Sequence, residues 1–250
     1  MGAETGSLQT VICMKWGTAY SAEYVNILFS MVSRNTQRPL RFVCFTDDPT
    51  GLRPEVEAQP LPEIALPGRI RWTPWRKVSL WQRTLGDLSG PVLVLDLDVV
   101  VTGSIDPFFD FSPAADFCVI ENWTTPGSGI GNTSVFRLQV GSHPEVFAAL
   151  TEHPEQVLAG HTNEQTLASR MVPDRVFWPA GWCVSFKHDL LPHWPLNFVQ
   201  PARFPEAARI TCFTGHPNPD EARDGIWPAP WYKRIRRHVR PTSWVAEHWR

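Results

Sequence analysis

The sequence predicts one α/β domain with a mixed, mostly parallel sheet flanked by helices, and three observations predict it. The chain opens strand, helix, strand, the order that builds a parallel sheet through crossovers. An apolar run from Pro91 to Val101 is broken by two acids, Asp96 and Asp98, as in a strand buried on both faces that meets a polar site. No glycine-, serine- or charge-rich linker divides the 250 residues, a length that can fill one large core.

Gln9 to Trp16 is an unbroken run suited to a buried first strand. From Ser21 to Arg34, Ala22, Val25, Leu28, Phe29 and Val32 recur at helical spacing. Leu40 to Phe45 is a second strand ending at Thr46, Asp47 and Asp48. Lys77 to Leu85 is predicted as a helix, leading through Gly86 to the strand with the two acids. Phe117 to Ile120 and Ser134 to Leu138 are shorter strands on either side of Gly127, Gly129 and Gly131. Pro144 to Leu150 and Asn163 to Met171 are predicted helices, and Arg209 to Phe213 a last strand. The remainder is proline-punctuated loop, without internal repeats or low-complexity sequence. Twelve tryptophans and 24 prolines imply long, shaped loops.

A formal net charge of −2 argues against a nucleic-acid-binding surface. Five cysteines without Cys-x-x-Cys spacing predict reduced thiols and a cytoplasmic setting. Met1 to Thr10 lacks the apolar core of a secretory signal, and no window is long and apolar enough to cross a bilayer. Trp231 to Arg250 carries Lys233, Arg234, Arg236, Arg237, Arg240 and Arg250 against Glu247, interleaved with Trp231, Tyr232, Trp244 and Trp249. The expected organisation is therefore a domain over 1–230 and a basic aromatic tail over 231–250. Such a tail suits peripheral contact with an anionic membrane at its inner face, or packing of its tryptophans with the charges solvated.

Two carboxylates in apolar surroundings are costly unless something positive meets them. Spaced by two, Asp96 and Asp98 are expected to share one strand face, and hard oxygen ligands suit Mn²⁺ or Mg²⁺. The competing reading is a pair of acids that merely solubilises a strand end. Lys15, Gly17, Thr18, Asp47 and Asp48 fall at neighbouring strand ends, where the ligand crevice of an open α/β sheet lies.

These residues, from Gln9 to Pro219, resemble the nucleotide-sugar-dependent glycosyltransferases of the Rossmann-like GT-A fold, closest to the family-eight group that includes glycogenin and bacterial galactosyltransferases. The strongest block is Trp75-Arg-Lys77-Val-Ser-Leu-Trp81, then Pro91 to Asp98, then Gly103-Ser-Ile-Asp106-Pro-Phe-Phe. The resemblance implies a metal-dependent hexosyl transfer from a nucleotide-diphosphate donor, most simply a UDP-sugar, with retention. The acceptor, whether saccharide, lipid-linked or protein, is left open. It implies metal binding by Asp96 and Asp98 and donor binding by Lys77, Asp96 and Asn132, with Thr18 and Tyr20 from the turn after the first strand. Glu164 and Gln165 match an acid–glutamine motif beside the anomeric carbon, with Glu164 where the family has aspartate. The family's third ligand is a histidine before or near a glycine close to the C-terminus. Here the order is Thr214-Gly215-His216, so either His216 serves from the far side of the glycine or Thr214 is the true equivalent.

Two other readings compete. A haloacid-dehalogenase-type phosphatase also ends an apolar strand in Asp-x-Asp, but there the motif opens the fold, whereas here two strands and two helices precede it. A non-catalytic module that only binds a sugar nucleotide would explain the displaced histidine.

Overall fold

The computed structural model describes residues 7–250; the polar stretch through residue 6, and with it most of the expected absence of a secretory signal, lies outside them. β1 (Gln9–Lys15), α1 (Ala22–Arg34), β2 (Leu40–Thr46) and β3 (Glu57–Pro60) open the chain. A 3-10 helix (Pro74–Trp81) precedes β4 (Pro91–Leu95), β5 (Val99–Val101) and α2 (Asp106–Asp110). β6 (Phe117–Glu121), β7 (Gly131–Gln139), α3 (Glu145–Glu152), α4 (Pro154–Gly160), α5 (Glu164–Met171) and β8 (Val176–Phe177) follow. β9 (Cys183–Ser185), β10 (Ile210–Cys212), α6 (Pro219–Asp224) and α7 (Ser243–His248) complete the order.

The main sheet has seven strands in the order β3-β2-β1-β4-β7-β6-β8. β7 is antiparallel to β4 and to β6, and the other pairings are parallel, so the sheet is mixed and mostly parallel, as expected. Strand order reverses between β1 and β4, the place where open α/β sheets hold ligands. Successive residues of β1 serve opposite faces. Val11 and Cys13 join α1 in one core, while Ile12 and Met14 join the 3-10 helix, α3 and α5 in the other.

Two expectations are corrected. The run Pro91–Val101 is not one strand: β4 belongs to the main sheet, and β5 pairs antiparallel with β10 in a second sheet of order β5-β10-β9. Asp96, Leu97 and Asp98 form the turn between the sheets, so the two acids do not share a strand face. The segment Lys77–Leu85 is not an α-helix either. Every residue from Trp75 to Trp81 is buried, leaving no solvent face for an amphipathic helix, and the backbone turns extended at Gln82.

Gly131 lies where the β6–β7 register shifts, and a Cβ there would stand 2.7 Å from Val119 Cγ1. Its need is close strand packing rather than approach to a ligand. The last segment divides in two. Val239, Trp244, Val245 and Trp249 are buried in the core that α1 shares, and Arg34 donates to the carbonyls of His248 and Arg250. Trp231, Tyr232 and Ile235 are exposed.

All five cysteines are free and buried. Among the described residues no helix is long and apolar enough to cross a membrane.

Candidate active site

The reversal between β1 and β4 opens into a cavity of about 510 Å³, a size suited to a small-molecule ligand. Tyr20, Lys77, Asp96, Asp98, Asn132, Glu164 and Gln165 all line it, brought from five separate segments of chain. Trp16, Trp72, Thr214 and Gly215 add to the wall. Thr18 and His216 do not line it, although Thr18 sits on the adjacent turn.

At its floor Lys77 is wholly enclosed. Its Nζ donates to Asp96 Oδ1 and Oδ2 at 2.9 and 3.1 Å and to Thr133 O and Oγ1 at 3.1 and 3.2 Å. Glu164 Oε1 stands 3.6 Å from the same nitrogen. Burial works against the ammonium, but Asp96 and Glu164 outweigh it and raise the Lys77 pKa, so the lysine stays charged. Thr133 joins the parts. Its hydroxyl donates to Glu164 Oε1 at 2.9 Å, and its backbone N–H donates to Gln165 Oε1 at 3.4 Å.

The turn is fixed at both ends. Asp96 N–H donates to Ser134 O of β7, and Phe213 N–H donates to the Asp98 carbonyl from just beyond β10. The Asp98 side chain is 7% exposed, accepts one N–H from Gly215 at 3.2 Å, and forms no ion pair among the described residues. Burial and the neighbouring Asp96 raise its pKa. Gly215 has φ 77° and Thr214 φ 49°, the left-handed conformation that aims this N–H at the carboxylate. Tyr20 also has a raised pKa, first from burial and then from Asp98 and Asp96, which keeps the phenol protonated.

Two amides complete the wall. Asn132 Oδ1 accepts from Ser134 N–H and Gln165 Oε1 from Thr133 N–H, which fixes both side chains. Neither amide nitrogen has a partner among the described residues. Glu164 and Gln165 begin α5, whose start is capped by Asn163 accepting from Thr166 N–H, so the cap is Asn163 and both following residues remain available.

His216 is not brought to the pair of acids. Its Nδ1 lies 2.7 Å from Glu221 Oε2, more than half the side chain is exposed, and Gly215 supplies the contact to Asp98 instead. Among the described residues no group of three His, Cys, Asp or Glu side chains is placed to hold a metal. Lys15 and Gly17 meet Asp48 and Asp47 at the rim, outside the lining. Thr133 and Trp72 escaped sequence reasoning, whereas Thr214, named as the alternative to His216, does line the cavity. The signal for Thr133 was a polar residue inside an otherwise core-facing strand.

The fold, a mixed sheet with a turn of two acids at its reversal, matches that of solved GT-A-type glycosyltransferases. The structure is similar to the galactosyltransferase LgtC in complex with donor and acceptor sugar analogs, at TM-score 0.60 and 14% identity over 84% of this chain and 89% of that one. It is also similar to the bifunctional glycosyltransferase WbbM, at TM-score 0.57 and 12% identity over 88% of this chain and 48% of WbbM. A third similar structure is the glycosyltransferase GlyE of Streptococcus pneumoniae TIGR4, at TM-score 0.56 and 14% identity over 84% of this chain and 56% of GlyE. No protein-family model matches the sequence, and no curated protein matches it. The phosphatase reading loses its support, because the Asp-x-Asp turn follows β4 of this fold rather than opening the chain.

Proposed function

We propose that this protein is a metal-dependent glycosyltransferase that moves a hexosyl group from a nucleoside-diphosphate sugar, a UDP-sugar in the simplest case, to an acceptor with retention of configuration. The observation that carries the reading is the convergence, in one cavity, of a buried unpaired carboxylate with two anchored amides whose NH₂ groups are free. The amides suit sugar hydroxyls. LgtC is described with donor and acceptor sugar analogs, and an active-site variant of it replaces a glutamine by glutamate. Gln165 is the glutamine that lines the cavity here.

The residues fit a hard divalent cation. Asp98 is enclosed without a cationic partner, and Asp96 is shared with Lys77. Asp96 and Asp98 would hold Mn²⁺ or Mg²⁺, and the bound cation supplies neutralisation of the diphosphate. His216 is available as a third ligand only by leaving Glu221.

Lys77, held protonated, adds positive charge where negative charge grows on the leaving diphosphate. Asn132 and Gln165 orient the sugar, and Glu164 holds Lys77 through Thr133. In the transfer the bond from the anomeric carbon to the diphosphate oxygen breaks, and the acceptor oxygen bonds to that carbon on the same face. The acceptor proton passes to the departing diphosphate. A glutamine is too weak a nucleophile for the covalent route of retaining glycosidases. Domain 1–230 carries this chemistry, and the exposed part of the 231–250 tail serves as a contact for an anionic membrane at its cytoplasmic face.

The test is a thermal-shift screen of nucleotide sugars with and without Mn²⁺, followed by product analysis. One donor should stabilise the protein only with the cation, by mass action. An α-linked donor should yield an α-linked product. A β-linked product overturns retention, and stabilisation unaffected by chelator supports a binding module instead.

A further inference from the structure

A second cavity, of about 730 Å³, lies beside the first. The segment after β3 walls it with Leu61, Ile64 and Leu66, and α3 contributes Phe147. Arg71 and Arg76 supply its positive charge.

These two arginines lack what buried or clustered cations normally have. Arg76 is only 8% exposed, yet its single hydrogen bond among the described residues runs from Nε to the Arg71 carbonyl at 3.3 Å. Neither guanidinium forms an ion pair among the described residues; Arg69, nearby in sequence, pairs with Glu155. Glu63, also on the wall, reaches neither. Burial first, and then the neighbouring Arg71, lower the Arg76 pKa, opposed by Asp47. Both guanidinium groups lie over the Trp72 ring, at 5.1 and 5.2 Å from its centroid.

An uncompensated buried charge is costly, and a planar guanidinium matches the oxygens of a phosphate, which two arginines lining one cavity could share. The adjoining walls are aliphatic and aromatic. We propose that Arg71 and Arg76 form a binding site for a phosphate monoester bearing an apolar group, with the phosphate on the arginines and the apolar group against Leu61, Ile64, Leu66 and Phe147. The site is distinct from the sugar-nucleotide reading of the first cavity and stands without it. The cavities share Trp72, which lines the first while its ring supports the arginines of the second.

Titration calorimetry of the full chain at low ionic strength tests the site with hexyl phosphate, inorganic phosphate and hexanoate. Hexyl phosphate should bind at least tenfold more tightly than either of the others. Arg76→Met and Arg71→Met should each weaken it at least tenfold, and Arg76→Lys should fall between. Arg71 is exposed, so its variant keeps the test valid if Arg76→Met fails to fold. Lys77→Met, in the first cavity, should leave the affinity unchanged. Equal affinity for hexanoate overturns the phosphate assignment, and equal affinity for inorganic phosphate overturns the apolar half. Loss in Lys77→Met with retention in Arg71→Met places the ligand in the first cavity and overturns the site.

Discussion

Asp98 is a buried charge that the fold leaves without an ion-pair partner among the described residues. Its buried carboxylate has one N–H donor and a like charge beside it. Asp98→Asn removes a charge while keeping an acceptor for Gly215, so the cation-free protein should melt higher, by a few degrees for a gain on the order of 1 kcal/mol. The same variant should show no Mn²⁺-dependent shift and no transfer. A lower melting temperature without cation would contradict the unpaired-charge argument. Thr133 acts through its neighbours. Thr133→Val keeps the shape but cuts the link from Lys77 to Glu164, so kcat should fall roughly ten- to a hundredfold with little change in KM, an effect on the transition state rather than the ground state. Thr133→Ser, which restores the hydroxyl, should recover most of the loss; equal defects in both variants would point to lost packing instead. The paired acids and Lys77 were legible in the sequence because ionisable groups stand out against apolar neighbours. Thr133 was not, since a hydroxyl's role depends on which strands and helices surround it. His216 was misleading for a similar reason: its sequence position near the acids' partner glycine says nothing of Glu221, which takes its ring nitrogen.

At the scale of elements, α1 and the strands were legible by period, but the split of Pro91–Val101 between two sheets was not. Apolar composition is the same on both sides of the turn, and only the pairing of β5 with β10 separates them. The short elements α2, α6 and α7 were hidden because each owes its stability to what it packs against. One such support is Arg137 of β7, 1% exposed. Its guanidinium donates to the carbonyls of Phe108, Phe111 and Ser112 at 2.8, 2.7 and 2.6 Å and closes the end of α2. Arg137→Met takes their donor from the Phe108 and Phe111 carbonyls, at about 1–3 kcal/mol each, while the Ser112 carbonyl keeps the Ala115 N–H. Denaturant unfolding should therefore show a loss of at least about 2 kcal/mol, and a change under about 1 kcal/mol would refute the bridging role. α7 carries a pH dependence. Burial depresses the His248 pKa below 6.5, with Glu247 opposing and Arg34 and Arg250 assisting. The unfolded chain then takes up the proton first, so stability is full above about pH 6.5 and declines as pH falls through the depressed value. His248→Gln should flatten that part of the stability profile, and an unchanged slope would assign it to other groups.

Across the whole molecule, one end of the chain bears both an anchor and an exposed patch. Trp244 and Trp249 are enclosed, whereas Trp231 is 80% exposed beside Lys233, Arg234, Arg236 and Arg237. Vesicles containing anionic lipid should sediment the intact protein and should sediment much less of a variant in which Trp231, Tyr232 and Ile235 are serine and the nearby basic residues are kept. Equal sedimentation would leave charge alone as the cause. The last helix packs in the core that the first helix shares; composition could not show which tryptophans would be enclosed, because that depends on contacts more than 200 positions apart, such as Arg34 with the Arg250 carbonyl. The turn between the sheets has a temporal consequence as well. Its first half is secured by Ser134 of β7, but its second half waits for β10 and for Gly215, which follows Asp98 by 117 positions. A growing polypeptide still short of that point holds Asp96 against β7 and Lys77 but has no partner for Asp98. On the ribosome, the contact between Asp98 and Gly215 can therefore form only after 117 further positions have been added.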